Sequence, residues 1–147
     1  MNKRKVKCYK VFKAVNGELH SAVVYDRDID IKYQIGKVIK PKIGKIFAFK
    51  TLEDAIRFRT FLADSRDKIF ECVGILSKEQ PHRIVYTYFC YREQVETFWG
   101  ERMWENAGSN YTTYKPDGTI FLDKIKLIKE ITFLDEKKLI KEIAKEV

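Results

Sequence analysis

YQIGKVIKPKIGKIFAFKTLEDAIRFRTFL, residues Tyr33 to Leu62, holds a loop, a strand and a helix around which the rest of the chain is arranged. Gly36, Pro41 and Gly44 punctuate the loop, which with the preceding Lys32 carries Lys37, Lys40, Lys42 and Lys45. Glycines let backbone N–H groups approach an anion, and the lysines supply charge. The order is not that of a Walker loop, because no hydroxyl follows Gly44-Lys45. Ile46 to Phe49 is apolar on both faces, as expected of a central strand. Thr51 is a good N-cap, and Glu53 and Asp54 complement the positive end of the helix it starts. Leu52, Ala55, Ile56, Phe58 and Leu62 form a broad apolar stripe, which predicts a helix over about 52–63 packed on a sheet. Arg57 and Arg59 lie off the centre of that stripe; they either extend the basic surface or are solvated helix arginines.

Upstream, Val6, Cys8 and Phe12 alternate with Tyr9 and Val11, which predicts a strand. Asn16-Gly17 tolerates positive φ at both residues and predicts a tight hairpin into a second strand, Glu18 to Tyr25. Asp26 to Asp30 has the Asp-x-Asp-x-Asp spacing of a calcium loop but lacks its glycine, so a solvated connection is the better reading. Downstream, Ile69 to Ile75 reads as a strand with Ile69, Glu71 and Val73 on one side and Phe70, Cys72 and Gly74 on the other. Arg83 to Tyr91 is β-prone and aromatic, and Val95, Phe98, Trp99 and Met103 predict an irregular helix over about 93–104, interrupted by Gly100. Asn106 to Asp117 is a polar loop whose Tyr111, Tyr114 and Lys115 are suited to stacking on and clamping a base. They are equally suited to covering an apolar core. A turn at Pro116-Asp117-Gly118-Thr119 leads into a strand over 119–131, and Asp135 is expected to cap a last helix over about 136–146. The expected fold is one α+β domain over residues 1–147: a mostly antiparallel sheet with an N-terminal hairpin, a packed central helix, an irregular helix and a C-terminal helix.

Composition narrows the function classes. The chain has 147 residues, 45% of them hydrophobic, enough for a real core. No apolar run is long enough to cross a membrane, and the basic N-terminus leads into alternation rather than an apolar leader, so a cytoplasmic setting is expected. Cys8, Cys72 and Cys90 are odd in number and widely spaced, which argues against a disulfide framework and a zinc site. The net charge is +8, and the excess lies in the first half: residues 1–68 carry 17 Lys and Arg against 8 Asp and Glu. A positive field concentrated there favours a polyanionic partner, although lysine-rich composition needs no ligand to explain it. His20 and His82 have no third partner nearby in sequence, and Glu71 is better read as half of a salt bridge than as a general base. No catalytic residue, metal or cofactor is implied.

Three pieces carry a family likeness: Tyr33-x-x-Gly36-Lys37, the IFAF–TLEDAIRF strand and helix, and the closing DKIKLIKEI of residues 123–131. With the opening hairpin and Phe70-Glu71-Cys72, they resemble a family of small uncharacterised domains found in phages, large viruses and some pentapeptide-repeat proteins. The resemblance covers roughly residues 9–75 and 116–131. It implies a viral or mobile-element setting, with a host protein as a further partner and a possible link to host defence, and it transfers no catalytic residue. The order strand–helix–strand is also similar to the ADP-ribosyltransferase-like fold, without its residue spacing. The leading expectation is a non-enzymatic binding protein that meets a nucleotide or nucleic acid through Lys32 to Lys45, Arg57 and Arg59, with Tyr111, Tyr114 and Lys115 in support. The alternatives are a protein–protein module using the aromatic segment 84–104, with a host protein or a second copy as partner, and a nucleotide-processing enzyme using Glu71 or His82.

Overall fold

In the computed structural model, residues 4–22, 31–85, 92–100 and 112–146 are described. The readings made on Val23 to Asp30, on 86–91 with Cys90, and on 101–111 with Tyr111 lie outside them. The elements are β1 (Lys5–Val15), β2 (Glu18–Ser21), β3 (Val38–Ile39), β4 (Ile46–Phe49), α1 (Leu52–Leu62), β5 (Lys68–Leu76), β6 (Arg83–Val85), α2 (Arg92–Gly100), β7 (Thr112–Tyr114), β8 (Thr119–Glu130) and α3 (Phe133–Lys145). The fold is α+β with a mostly antiparallel sheet, an N-terminal hairpin and a C-terminal helix, as the sequence pattern predicts. No described helix is long and apolar enough to cross a membrane.

Asn16 and Gly17 take φ of 51° and 79°, the left-handed pair that a two-residue hairpin needs, and Val15 pairs with Glu18 across the turn. From there the sheet closes on itself. β1 pairs with β5 from Lys5 to Phe12, β5 with β8, β8 with β4, and β4 returns to β1 through Phe49 and Tyr9. The four ladders form a small barrel-like ring, with β2 and β3 extending it.

Period-2 alternation sends one set of side chains inside the ring and the other outside. The inner set includes Cys8, Phe12, Ala48, Phe70, Cys72 and Leu127, all buried. Gly74 belongs to this face: a Cβ there would lie 2.6 Å from Leu122 Cδ1, so the ring is too narrow at that point for a side chain. The outer set of β1, β4 and β5, with Val11, Phe49 and Ile69, packs against Ala55 and Phe58 of α1. Phe49 and Phe58 stack with their ring centroids 5.0 Å apart. Thr51 caps α1 as expected, its hydroxyl accepting from the Asp54 N–H at 3.1 Å.

The C-terminal helix begins earlier than the sequence reading places it. Thr132, not Asp135, is the N-cap; the Thr132 side chain accepts from Asp135 N–H, and the Asp135 carboxylate accepts from Thr132 N–H at 2.9 Å, a reciprocal capping box. The hydroxyl three residues upstream therefore starts the helix, and the aspartate closes the box. No described residue of α3 is buried. Its anchor is the ion pair from Arg59 of α1 to Glu136, each side chain only 15% exposed. Arg59→Ala is expected to free α3 locally, costing about 1–3 kcal/mol because a mostly buried carboxylate loses its partner. Hydrogen exchange checks this: amides of Phe133–Lys145 should exchange faster while those of β1, β5 and β8 keep their protection.

Candidate functional site

Three chain segments meet at one end of the ring and bring cations together. Leu76 N–H donates to the Arg4 carbonyl at 2.9 Å, which fixes the start of β1 beside the end of β5. Lys50 N–H donates to the Gly118 carbonyl at 2.9 Å, which draws the β4–α1 junction onto the turn before β8. Gly118 has φ of 76°, and a Cβ on it would collide with the Asp54 carboxylate, so this approach requires glycine. Lys115 N–H donates to the His82 carbonyl at 3.0 Å, tying β7 to the segment before β6. Gln80 completes the wall: its amide donates to the Phe121 carbonyl at 2.8 Å and accepts from Phe121 N–H at 3.0 Å, satisfying that residue as a strand neighbour would.

The resulting cleft has a volume of about 370 Å³ and is lined by Arg4, Lys7, Lys50 and Lys115, with no carboxylate among its described lining residues. Lys7 is paired with Glu71 at 3.1 Å, and that hydrogen bond, with the nearby Tyr9, holds its pKa above the ordinary value. Arg4, Lys50 and Lys115 make no ion pair among the described residues. Lys115 is shifted the other way: burial, and then the like charge of Lys50, push its pKa down. Two lysines that repel each other beside an arginine, with no ion-paired carboxylate among the described residues, form a site where an anion would be attracted and would relieve the repulsion.

The residues singled out in the sequence are distributed differently. Lys115 is in the cleft. Lys32 pairs with Glu18 at 3.2 Å and Lys45 with Asp123 at 2.7 Å. Arg57 sits among Glu53, Asp54 and Asp117, and Arg59 is consumed in the anchor to Glu136. Lys37, Lys40 and Lys42 are exposed on the loop before β4 and carry no ion pair among the described residues. Tyr114 is 76% exposed, and the Arg83 guanidinium lies 4.6 Å from its ring centroid. The glycines read as anion approaches have structural partners. Gly36 N–H donates to the Leu127 carbonyl, and Gly44, at φ 64°, lies directly under the Trp99 indole.

Arg4, Lys7 and Lys50 escaped the sequence reading. Their only trace was the basic excess of the first half, which has a sign but no address. Glu71 is in the salt bridge that its strand position suggests, with Lys7, and Cys8 and Cys72 are free, buried thiols. Among the described residues no group of three or more His, Cys, Asp or Glu is arranged to hold a metal ion. No protein-family model, curated protein or solved structure matches the chain.

Proposed function

We propose that the chain is a non-enzymatic binding protein for a phosphate-bearing partner, a nucleotide or a nucleic acid, and that the phosphate is held in the cleft of Arg4, Lys7, Lys50 and Lys115. The observation that carries this reading is the convergence of three cations, unpaired among the described residues, on a cleft with no carboxylate among its described lining residues. Arginine supplies a planar fork for phosphate oxygens, and the lysines act as mobile point charges. The viral or mobile-element setting, with a host protein as a further partner, rests on the short sequence motifs alone.

Neither alternative has an observation of equal weight behind it. In the segment 84–104, the described Ile84 and Phe98 are buried and Trp99 packs on Gly44 and Phe121, so these residues serve the interior. Glu71 is engaged by Lys7, which leaves the enzyme reading without a free base on that strand.

The test is calorimetric titration with inorganic pyrophosphate at low salt. The wild-type chain is expected to bind it, and Lys50→Glu and Lys115→Glu are each expected to weaken binding about tenfold or more. Lys42→Glu, on the separate loop, should leave it unchanged. Absence of binding by the wild-type chain, or equal binding by all three variants, would overturn the reading.

A further inference from the structure

The cationic cleft does not end at Lys7 and Lys50. Both residues also line a second groove of about 590 Å³, which runs between the start of α1 and α3. The two spaces share these two lysines as a common wall, and they differ in chemistry. The second has an apolar lining from Tyr9, Leu52, Leu139 and Ile143. It is rimmed by four carboxylates, Glu53, Asp135, Glu142 and Glu146, against three lysines. Two of the four are already occupied: Glu53 by Arg57, and Asp135 by the α3 cap. The side chains of Glu142 and Glu146, one turn apart on α3, make no ion pair among the described residues.

We infer that the partner of the cleft is a single nucleotide with an amino-bearing base, and that its base and sugar occupy the α1–α3 groove. The inference rests on the phosphate reading of the cleft and deepens it. The chemistry decides between the two ligand classes named above. A nucleic-acid strand repeats a negative charge at every residue, and continued past Lys50 it would bring phosphates towards Glu142 and Glu146, the rim carboxylates with no ion pair among the described residues. A single nucleotide places charge at one end only. Its other end is flat and apolar in area, suited to the Tyr9 ring and the aliphatic lining, and an exocyclic amine donates to a carboxylate. The space is of the right order: small-molecule sites typically measure about 300–1,000 Å³.

The experiment compares ADP with inorganic pyrophosphate, so that the difference reports the nucleoside alone. ADP is expected to bind at least tenfold tighter than pyrophosphate and tighter than UDP. Leu139→Gln, or Ile143→Gln in its place, is expected to remove the ADP advantage while leaving pyrophosphate binding unchanged; both residues are only partly buried on a helix that contributes nothing to the core, so the fold is retained. If pyrophosphate binds as tightly as ADP, or if both variants keep the ADP advantage, this inference is overturned and the phosphate reading survives. If a single-stranded DNA decamer displaces ADP with a steep salt dependence, the strand reading replaces it. If the wild-type chain binds no pyrophosphate at all, both readings fail together.

Discussion

A Lys10→Met variant is expected to be more stable than the wild-type chain at pH 7, by at most about 3 kcal/mol because the bond to the Phe47 carbonyl is lost with the charge, and to lose that advantage as the pH is raised towards the ordinary lysine pKa. Lys10 projects from β1 into the ring and is 2% exposed. Its Nζ donates to the Phe47 carbonyl at 2.8 Å and lies 4.3 Å from the Phe47 ring centroid, within 6 Å of the rings of Phe12 and Tyr33. These contacts offer one hydrogen bond and some aromatic attraction, with no ion pair among the described residues. Burial dominates and pushes the Lys10 pKa down to about 8 from 10.5, opposed by Cys72 and Cys8.

The sign of the pH dependence follows from proton binding. Between about pH 8 and 10.5 the unfolded chain holds a proton on Lys10 that the folded chain has released, so stability rises with pH across that window. Below pH 8 both states are protonated and the full penalty stands. Methionine fills similar volume without the charge. Cys8 and Cys72 titrate in the opposite sense: burial pushes the Cys8 thiol up to about 12 and raises Cys72 as well, so rising pH costs stability through them. Both variants share that cost, and the difference between their urea midpoints isolates Lys10. A midpoint difference that is absent at pH 7, or that stays constant from pH 7 to 10.5, would show that Lys10 is not held in a desolvated site.

The second large effect is expected at Phe12. Phe12→Ala should cost about 3–5 kcal/mol, close to the whole stability of a small domain. Phe12 is fully buried at the point where β1 changes partners, paired with Ser21 of β2 on one side and Lys68 of β5 on the other. Its ring meets Tyr33 edge-on at 4.8 Å and Phe70 at 5.6 Å. The cavity left by alanine cannot collapse easily, because three strands and the Ser21–Tyr33 hydrogen bond hold its walls. Chemical denaturation of Phe12→Ala beside the milder Phe12→Leu checks this. A loss below 1 kcal/mol for alanine would mean that the ring interior is not the main core.

Much of the local structure was legible because short-range sterics fix it. Asn16-Gly17 tolerates the left-handed backbone that a hairpin needs, and the Thr51 hydroxyl satisfies a free helix amide whatever surrounds it. Alternation placed Cys8 and Phe12 on one face of β1 and Tyr9 and Val11 on the other, and the structure keeps that division. The same alternation puts Lys10 on the inner face, yet a lysine in a basic stretch reads as surface until the barrel is seen to close around it. The start of α3 was misread for a local reason: both Thr132 and Asp135 are capping residues, and the capping box uses both.

By itself, then, the sequence determined where the long strands, the hairpin and the main helix lie, and which half of the chain is basic; the short strands β3 and β7 fall in stretches that read as loops, because two or three residues carry no period of their own. It could not determine which strands pair, because a period of two specifies a face and not a neighbour. Only the tertiary structure decided that the sheet closes through Tyr9 and Phe49, that Gly44 seats Trp99, and that Arg59 anchors a helix. It alone decided the candidate site. Arg4, Lys7, Lys50 and Lys115 span more than a hundred residues of chain and share no motif; the backbone bonds of Arg4, Lys50 and Lys115 to Leu76, Gly118 and His82 bring them to one cleft. Charge in a sequence has no direction until folding pairs some of it away, and the cations left unpaired are those that can still bind.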